Sequence, residues 1–516
     1  MILKHEIPEK ARVYIYGAGS AGRALYAWLI KCRLDVSVLG FIDTYKNGRV
    51  LGKKLFNFSS FLSSINNDDY DLIIVVSTYQ QEISAQLNKN NIHYVVANAP
   101  SYLLKEILPE PLIQRIIAKL LMLSSSLFSM IFPERFINKH LFFGEHEGKF
   151  IGNNKYYFLR MCEKLYGRIF WVVDDDELYD ELNKENIPVL LFSNLLTKFV
   201  LFRAHFFYFD NMTWQRKYPW LRYLNAKVIH MSHGVGLKYT EKMMVPNEFL
   251  NQLTDKESAR LNERIFYNDL LVSTSTFYAR EVSSPAYNTP LKNIICSGYP
   301  KNDLFYEDIS GQHIFTDKVV LDALIAQKER GKKIIVYAPT FRDMHVDFDY
   351  TSIIDFKQLT IFLETNNLLL VIKGHTSLVS DKVNSKSDPE YMNKPVIFYR
   401  NDRDGYPLLK IADLLITDYS SIYMDFLHSL KPVLFFPYDI NEYLKEHRMI
   451  QFDYFEMTPG PKAYTQDELM GWMAHFLLQN KDGYQTERRN IAKLAYDHID
   501  SSAWQRIEKS IESLFY

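Results

Sequence analysis

The sequence predicts an α/β protein made of several parallel sheets. Short apolar runs alternate with stretches of helical periodicity along most of the 516 residues, which is typical of parallel strands joined by helices. The chain is also too long for one ordinary core, since roughly 100–200 residues per domain is usual. We therefore expect a domain at residues 1–100, a helical connector at 101–140, and further domains at 141–310 and 311–516.

Apolar runs predict the strands of three sheets. We expect them at Val13–Tyr16, Val36–Ile42, Leu72–Ser77, Ile169–Val173, Val228–Ser232, Leu270–Ser273, Ile294–Ser297, Ile334–Tyr337, Leu368–Ile372, Val396–Phe398, Leu414–Thr417 and Val433–Phe436. The tail, residues 465–515, has a helical pattern throughout. Because the carboxyl ends of parallel strands meet at one edge, polar clusters that follow strands of the second and third sheets should face a common crevice.

Composition and charge narrow the class of protein. The formal net charge is −1, which gives no indication of a nucleic-acid partner. Three cysteines, Cys32, Cys162 and Cys296, lack the spacing of a metal site or a disulfide framework, which fits a reducing cytoplasm. The first residues, MILKHEIPEK, lack the apolar core of a signal peptide. We expect a cytoplasmic protein.

Two stretches, Leu112–Phe132 and Val189–Phe209, are strongly apolar. Both contain basic residues, and neither reaches the about 20 uninterrupted apolar residues of a transmembrane helix, so we predict two buried helices. For the first stretch the alternative is an amphipathic segment on the inner face of the cell membrane. Arg115 and Lys119, four residues apart among Leu and Ile, suit either arrangement.

The N-terminal unit begins with a nucleotide-binding pattern. Its first strand runs into a G-x-G-x-x-G formed by Gly17, Gly19 and Gly22, and a helical pattern follows, which is the context that a dinucleotide fingerprint requires. Asp43 ends the second strand, near the place of a ribose-binding carboxylate. These residues are the candidate site for a bound nucleotide. The alternative is that the glycines serve only tight packing between strand and helix.

A histidine follows one strand of the second sheet, in the sequence SHGVGLK. The imidazole of His233 can accept the proton of an attacking hydroxyl, and the glycines let a substrate approach the backbone closely. Gly234 and Lys238 are candidate contacts on the acceptor side. An isolated histidine would more often be buried and hydrogen-bonded, but the glycines and the lysine favour the catalytic interpretation.

Three polar clusters follow strands of the third sheet, and their residue types suit a diphosphate. The most informative is TDYSS, because it places two hydroxyls and backbone N–H groups at the predicted start of a helix. KGHT and YAPTFR add cations, an imidazole and a hydroxyl. The ordinary alternatives are a helix cap, a lysine that ends a strand and a surface ion pair. The candidate donor-site residues are Thr340, Arg342, Lys373, His375, Asp418, Ser420, Ser421 and Asp425.

An acidic run, Asp174–Glu177, contains D-x-D, a pattern that some glycosyltransferases use to hold a metal. Because the phosphate-binding residue types lie elsewhere, we interpret this run as a solvated loop and predict no metal site.

These motifs resemble the CDP-glycerol glycerophosphotransferase family, which includes teichoic acid and capsule polymerases. The resemblance covers about residues 140–460 and is carried by FFGEHEGKFIGNNKYY, HGVGLK, SGYPKNDLF, YAPTFRD, KGHT and ITDYSSIYMDFLHSLKPVLFFPYD. It implies a GT-B arrangement of two Rossmann-like domains, here preceded by the small N-terminal α/β domain. That first domain, through YIYGAGSAGRAL and LGFIDTYKNG, resembles domains that precede sugar-nucleotide-modifying enzymes of capsule and glycan pathways. This resemblance implies that the domain binds NAD(P) or a nucleotide sugar.

The resemblance also implies residue roles. His233 corresponds to the catalytic base and His375 to a residue that steadies the donor diphosphate. Ser420 and Ser421 correspond to diphosphate-binding hydroxyls, while Arg342 and Lys373 line the donor pocket. The chain departs from the family in two motifs. Ser232, Val235 and Gly236 stand where tryptophan before the histidine and Thr-Pro after the glycine are usual, and Lys301 stands where the motif Pro-Arg-Asn-Asp has arginine. Both departures lie on the presumed acceptor side.

The implied activity is transfer of glycerol phosphate or ribitol phosphate from a CDP-polyol to a hydroxyl of a growing surface polymer. CMP is released, and no cofactor is required for transfer. Expected partners are the CDP-polyol, a lipid-linked or polysaccharide acceptor and a membrane surface. One alternative is a GT-B glycosyltransferase that uses a nucleotide sugar, against which the Asp-Tyr-Ser-Ser pattern counts. The other alternative is a non-catalytic nucleotide-sensing protein.

Overall fold

The computed structural model falls into two units, residues 1–117 with 241–267 and residues 118–240 with 268–516. The structure describes residues 7–19, 35–76, 80–96, 139–244, 268–340, 353–374, 394–441 and 450–516, together with residues 22, 23, 25, 26, 29, 33, 116, 117, 119, 120, 122–124, 127, 255, 258, 259 and 443.

The first unit contains a six-stranded sheet in the order β3-β4-β2-β1-β5-β6. Its strands are β1 Arg12–Tyr16, β2 Ser37–Asp43, β3 Gly48–Val50, β4 Lys53–Asn57, β5 Leu72–Val75 and β6 Tyr94–Val96, with helices at Phe58–Ser64 and Gln80–Lys89. All pairings are parallel except that of β3 with β4. The three predicted strands are confirmed, whereas the short strands β3, β4 and β6 were not predicted.

The second unit begins with a seven-stranded parallel sheet in the order β13-β12-β11-β10-β7-β8-β9. Its strands are β7 Lys139–Phe143, β8 Ile169–Val173, β9 Val189–Leu191, β10 Ala204–Phe209, β11 Lys227–His230, β12 Leu270–Ser273 and β13 Ile294–Cys296. Helices between these strands lie at Glu145–Gly148, Gly152–Met161, Asp176–Lys184, Leu195–Phe202, Thr213–Lys217, Thr276–Tyr278 and Ser284–Tyr287. We call this part the acceptor half.

A five-stranded parallel sheet follows, in the order β16-β15-β14-β17-β18. Its strands are β14 Lys333–Ala338, β15 Leu368–Lys373, β16 Val396–Tyr399, β17 Leu414–Thr417 and β18 Val433–Phe435, and all five match predicted strands. The helices from here to the end of the chain are Lys318–Glu329, Phe356–Thr365, Tyr406–Ile411, Ile422–Phe426, Tyr454–Met457, Gln466–Leu477, Gln485–Ala495 and Ala503–Phe515. We call this part the donor half.

The prediction of one helix over Val189–Phe209 is wrong, because the stretch folds as strand, helix and strand. Strand β9 ends at Leu191, the helix Leu195–Phe202 follows, and β10 begins at Ala204. The side chain of Asn194 caps this helix by accepting a hydrogen bond from the N–H of Leu196 at 2.9 Å. A continuous apolar run does not show where such a break falls, since buried strands and buried helices are equally apolar.

The described part of Leu112–Phe132 is helical but not buried. Its large apolar side chains, from Ile117 at 48% to Leu123 at 68%, are exposed. The prediction of a buried helix is therefore wrong for these residues, and the remainder of the stretch lies outside the described residues. Among the residues that the structure describes, no helix combines the length and apolar character needed to cross a membrane.

The last helix, Ala503–Phe515, packs on the acceptor half, although the sequence analysis grouped the tail with the donor half. Asp303 accepts a hydrogen bond from the N–H of Ala503 at 3.2 Å, and Glu508 pairs with Lys164 at 2.7 Å. The ring of Phe515 lies 5.7 Å from that of Phe206 on β10. The chain thus returns to the acceptor half at its end.

Candidate functional site

A cavity of about 200 Å³ lies in the second unit, at the carboxyl ends of strands of both halves. The acceptor half contributes Glu145, Ile151, Gly152, His233 and Lys301 to its wall. The donor half contributes Lys373, Ser420, Ser421 and Asp425 among others. The structure therefore brings together the predicted base, the predicted lysine and both predicted serines, as the sequence analysis required.

The backbone that leads to His233 is fixed by buried polar contacts. Ser232 has a φ of 58°, and its N–H donates to Nδ1 of His230 at 3.1 Å. The hydroxyl of Tyr299 donates to Ser232 Oγ at 3.1 Å, and the amide of Asn153 donates to the Ser232 carbonyl at 2.6 Å. The imidazole of His233 itself is exposed and lines the cavity. Its position is set by the residues before it.

The glycines after His233 allow the loop to pass directly over Ser421. A Cβ on Gly236 would lie 3.0 Å from Cβ of Ser421, which is closer than almost all real Cβ contacts. A Cβ on Gly234 would lie 3.7 Å from Oγ of Ser421. The loop that carries the candidate base therefore contacts the candidate diphosphate residue across the boundary between the two halves.

Ser420 and Ser421 precede a helix that is shorter than predicted. The helix Ile422–Phe426 has five residues and continues as one 3-10 turn, so its macrodipole is small. Ser420 Oγ accepts a hydrogen bond from the N–H of Ile422 at 3.5 Å. Recognition of a diphosphate here would rest on the two hydroxyls and the nearby backbone N–H groups.

Asp418 and Thr340, both predicted as donor-site residues, lie outside the cavity wall and contact each other. The carboxylate of Asp418 accepts hydrogen bonds from the N–H and hydroxyl of Thr340, at 2.8 and 2.5 Å, and from the N–H of Tyr419 at 2.6 Å. Asp418 is fully buried. These contacts join the loop after β14 to the loop after β17.

Lys373 provides a buried positive charge at the end of β15. Its ammonium donates to the carbonyl of Asn401 at 2.9 Å and to that of Gly374 at 3.2 Å. Burial lowers the pKa of Lys373 to about 8, although Asp404 and Asp402 oppose that effect. Two neutral carbonyls leave the charge only partly compensated, so the site favours an anion.

Asp425, a predicted donor-site residue, lines the cavity and also forms a buried ion pair. Its Oδ2 lies 3.0 Å from Nζ of Lys301 and accepts a hydrogen bond from the hydroxyl of Tyr406 at 2.7 Å. The same Nζ donates to the carbonyl of His233 at 2.5 Å. Lys301 was not among the predicted site residues, although its place in the departing Pro-Lys-Asn-Asp motif was a signal.

A carboxyl pair on the acceptor side was also missed. Glu145 lines the cavity, and Asp210 is fully buried beside it, accepting a hydrogen bond from the N–H of Asn154 at 3.0 Å. Burial, together with the charge of Glu145, raises the pKa of Asp210 well above its usual range. Gly152 lies between them, since a Cβ there would be 2.7 Å from Oδ2 of Asp210.

The described part of the chain does not place every predicted residue at the cavity. Arg342 and His375 are outside the described residues. Lys238 does not line the cavity, and its Nζ lies 5.2 Å from the ring centroid of Tyr443. In the acidic run, Asp174 pairs with Lys217 at 2.8 Å and Asp175 caps a helix. Within the described ranges, no His, Cys, Asp and Glu side chains group as metal ligands.

The N-terminal glycines divide by environment. A Cβ on Gly17 would lie 2.1 Å from the carbonyl oxygen of Val76, and one on Gly22 would lie 1.7 Å from that of Gly17. A Cβ on Gly19 would meet no atom within 4 Å. Asp43 Oδ1 accepts hydrogen bonds from the backbone N–H groups of Tyr45 and Lys46, so it closes a turn. Packing explains the first and third glycines but not the second.

Two facing parallel sheets with a cavity between their carboxyl ends define a GT-B fold. The solved structure of the wall teichoic acid polymerase TagF shares this arrangement, with a TM-score of 0.54 and 21% sequence identity over 78% of this chain and 95% of that chain. At this identity the similarity supports the fold.

The family model of CDP-Glycerol:Poly(glycerophosphate) glycerophosphotransferase matches residues 127–513. This match spans well over half of the chain, and the chain therefore belongs to that family. A separate model, C2185-like, N-terminal, matches residues 9–95.

Two curated relatives come from Bacillus spizizenii. The teichoic acid poly(ribitol-phosphate) polymerase is 26% identical over 256 residues, and the teichoic acid poly(glycerol phosphate) polymerase is 28% identical over 250 residues. Each alignment covers 48% of this chain, and it spans 37% of the first relative and 60% of the second. The chain thus matches only part of the length of these relatives.

Proposed function

We propose that this protein transfers glycerol phosphate or ribitol phosphate from a CDP-polyol to a hydroxyl of a growing teichoic-acid-like polymer. The observation that carries the proposal is the single cavity that His233 lines together with Lys373, Ser420 and Ser421. Membership of the glycerophosphotransferase family supports the same reaction class. The relatives named for glycerol phosphate and for ribitol phosphate leave both polyols as candidate donors.

In the proposed reaction an acceptor hydroxyl attacks the β-phosphorus of the donor. His233 takes the hydroxyl proton as the new P–O bond forms, and the bond between the β-phosphorus and the bridging oxygen breaks. CMP leaves with the electron pair of that bond, and a phosphodiester remains. Because the transition state carries charge on its phosphoryl oxygens, fixed donors and cations would supply most of the catalysis.

The electrostatics of the cavity support this division of roles. The donor half presents Lys373 and two hydroxyls, which suit phosphate oxygens. The acceptor half presents an imidazole and the carboxylate of Glu145, which suit the hydroxyls of a polyol. The proposed transfer uses no further cofactor.

The direct test is CMP release by the purified chain with CDP-glycerol or CDP-ribitol and a polyol-phosphate acceptor. We expect acceptor-dependent CMP release with at least one donor. Release of a nucleoside diphosphate from a nucleotide sugar, with neither CDP-polyol consumed, would instead favour a glycosyltransferase.

We propose further that the N-terminal domain binds the diphosphate of a nucleotide, either NAD(P) or a nucleotide sugar. Gly19 supports this proposal, because a Cβ there would meet no neighbouring atom and packing therefore does not require a glycine. The open space would let a diphosphate approach the backbone closely. The thermal shift of the full chain with NADH, NADPH and nucleotide sugars is the test. Gly19→Val should leave the ligand-free melting temperature unchanged and abolish the shift. No shift with any of these ligands would contradict the proposal.

We also propose that the protein works at the inner face of the cell membrane on a lipid-linked acceptor. The exposed apolar side chains of residues 116–127 support contact with a membrane surface. Leu120→Ser with Leu123→Ser should reduce co-sedimentation with anionic vesicles. Ile361→Ser is a matched control, because Ile361 and Leu120 are each 58% exposed. Absence of vesicle binding by the unchanged protein at low salt would contradict this proposal.

A further inference from the structure

Lys301 is the residue that connects the base loop to the donor half. Its Nζ lies 2.5 Å from the carbonyl oxygen of His233 and 3.0 Å from Oδ2 of Asp425. Asp425 belongs to the helix that directly follows Ser421. One ammonium group therefore contacts both the residue proposed as base and the element that follows the proposed diphosphate contact.

The surroundings leave this ammonium little freedom. Lys301 and Asp425 are 1% and 3% exposed at their side chains, and Tyr406 donates a hydrogen bond to the same carboxylate oxygen. A Cβ on Gly234 would lie 3.6 Å from Nζ of Lys301, so the loop runs close to the ammonium. A charge that is buried, paired and hydrogen-bonded holds its neighbours in one geometry.

A second buried lysine makes a similar ion pair without touching the base loop. Lys155 of the acceptor half lies 2.6 Å from Asp404 of the donor half, and the two side chains are 0% and 1% exposed. Its Nζ also donates to the carbonyls of Gln312 and Ile314, at 2.9 and 2.7 Å. Lys155 is thus a natural comparison, because it joins the two halves but does not contact His233 in the structure.

We propose that Lys301 is a positioning residue for His233. It fixes the carbonyl of the base residue relative to the donor half, so that the imidazole faces the phosphorus under attack. This inference rests on the proposed transfer reaction. A misplacement of about 1 Å can cost about a hundredfold in rate, so a fixed loop matters even when the base itself is unchanged.

The test compares Lys301→Met with Lys155→Met. Methionine keeps an unbranched apolar chain and removes the charge, and each variant leaves one buried aspartate unpaired. Both variants should lower the melting temperature. Well below that temperature, Lys301→Met should lower kcat about a hundredfold with the KM for the CDP-polyol within about threefold. Lys155→Met should keep kcat within about threefold. Its unpaired partner Asp404 acts on Lys373, so an effect of this variant should appear in the KM for the CDP-polyol instead.

Two further variants separate position from folding. Lys301→Arg retains a cation that can reach both partners and should keep kcat within about tenfold of the unchanged protein. Lys301→Met with Asp425→Asn removes the unpaired buried carboxylate. It should recover melting temperature relative to Lys301→Met without recovering kcat, because the contact to the His233 carbonyl is still missing.

A readout that needs no turnover keeps this inference distinct from the proposed function. Diethyl pyrocarbonate modifies accessible histidines, and the rate at His233 is measurable by peptide mass spectrometry. Lys301→Met should change that rate at least about threefold, because loss of the contact to the His233 carbonyl allows the loop to open locally. Lys155→Met should not change it.

The outcomes are separable. If the unchanged protein releases no CMP, the proposed function fails, while the labelling rate still tests Lys301. If Lys301→Met and Lys155→Met have equal effects on kcat and on His233 labelling, Lys301 is only a structural ion pair and the positioning role is overturned. Loss of the donor-dependent thermal shift in Lys301→Met alone would also overturn it, since the defect would then lie in donor binding.

Discussion

Lys373 shows how one residue can serve a site through its surroundings. It ends β15, is buried, and donates only to backbone carbonyls in the contacts described above. A lysine at a strand end is common, and the sequence alone did not separate this residue from an ordinary one. The structure does so by placing it in the cavity wall with a lowered pKa.

The pH dependence of donor binding follows from Lys373. Burial lowers its pKa to about 8, so the ammonium is present below that pH and is lost above it. A bound diphosphate favours the ammonium and raises the pKa of Lys373 in the complex. Above pH 8 the free protein loses this proton while the complex retains it, so affinity for the donor should fall from that pH upward. We expect the KM for the CDP-polyol to rise above this pH.

Lys373→Arg is the matching variant, because arginine stays protonated throughout the range. Its KM should remain flat where that of the unchanged protein rises. Identical KM profiles in the two proteins would show that another group causes the pH dependence.

Ser421 should act on the donor. Removing its hydroxyl in Ser421→Ala costs a hydrogen bond to a charged group, about 1.5–3 kcal/mol, so KM for the CDP-polyol should rise about 10- to 100-fold. Ser510→Ala is the control, since Ser510 Oγ donates within the last helix at 2.8 Å. A KM unchanged in Ser421→Ala, measured by CMP release, would remove this residue from the donor site.

Residue types and order predicted His233, Lys373, Ser420 and Ser421 as cavity residues, because each follows a strand at its carboxyl end. They did not predict that Asp425 pairs with Lys301, which lies 124 positions earlier in the sequence. Ion pairs between distant segments depend on how the halves pack, and that information is not local. The contact of Asp418 with Thr340 was not predicted for the same reason, since Thr340 belongs to another loop.

At the scale of elements, the loop after β11 depends on small residues. Gly236→Ala would place a Cβ 3.0 Å from that of Ser421, so the loop or the serine must move. Such overpacking costs about 1–3 kcal/mol of stability, and the displaced imidazole should lower kcat about tenfold or more.

Gly471→Ala is the matched control, because no atom lies within 4 Å of its added Cβ. It lies in the helix Gln466–Leu477, where alanine should stabilise by up to about 1 kcal/mol. Thermal melting and CMP release measure both effects. Full activity in Gly236→Ala would mean that close contact between loop and serine is dispensable.

The attachment of the last helix should depend on pH through Asp303. Burial raises the pKa of Asp303 to about 7, although the N–H groups of Ala503 and Trp504 oppose the rise. An unfolded aspartate has a pKa of about 3.9, so between roughly pH 4 and 7 the folded state holds a proton that the unfolded state has released. This contribution to stability is full below about pH 4 and declines as pH rises through 7.

Asp303→Asn should therefore flatten the melting temperature between about pH 4.5 and 7 relative to the unchanged protein. Asp308→Asn is the control, because its side chain is 82% exposed and lies on the surface. Equal slopes in Asp303→Asn and the unchanged protein would show that Asp303 does not titrate in this range.

Helices and strands differ in how well periodicity predicts them. All five strands of the donor half were predicted, because each is an isolated apolar run bounded by polar turns. The stretch Val189–Phe209 was not, since strand, helix and strand follow one another with equally apolar residues. The short strands β3 and β4 form a hairpin-like edge with polar residues, which leaves little apolar signal.

At the scale of the whole molecule, the sequence indicated the two facing sheets and the crevice between them. It did so because the polar clusters follow strands, and parallel topology brings strand ends to one edge. The helix at the end of the chain was assigned to the other half, since amphipathic periodicity shows that a helix packs but not against which sheet. Such tertiary choices come from the shapes and charges of surfaces that are distant in sequence.

The most direct test of the central claim is acceptor-dependent CMP release in His233→Ala, with His313→Ala as an exposed histidine control. If the cavity couples an imidazole on one half to a diphosphate on the other, His233→Ala should lower kcat by about 10²- to 10⁴-fold and keep the donor-dependent thermal shift. His313→Ala should match the unchanged protein. Undiminished CMP release in His233→Ala would contradict the account.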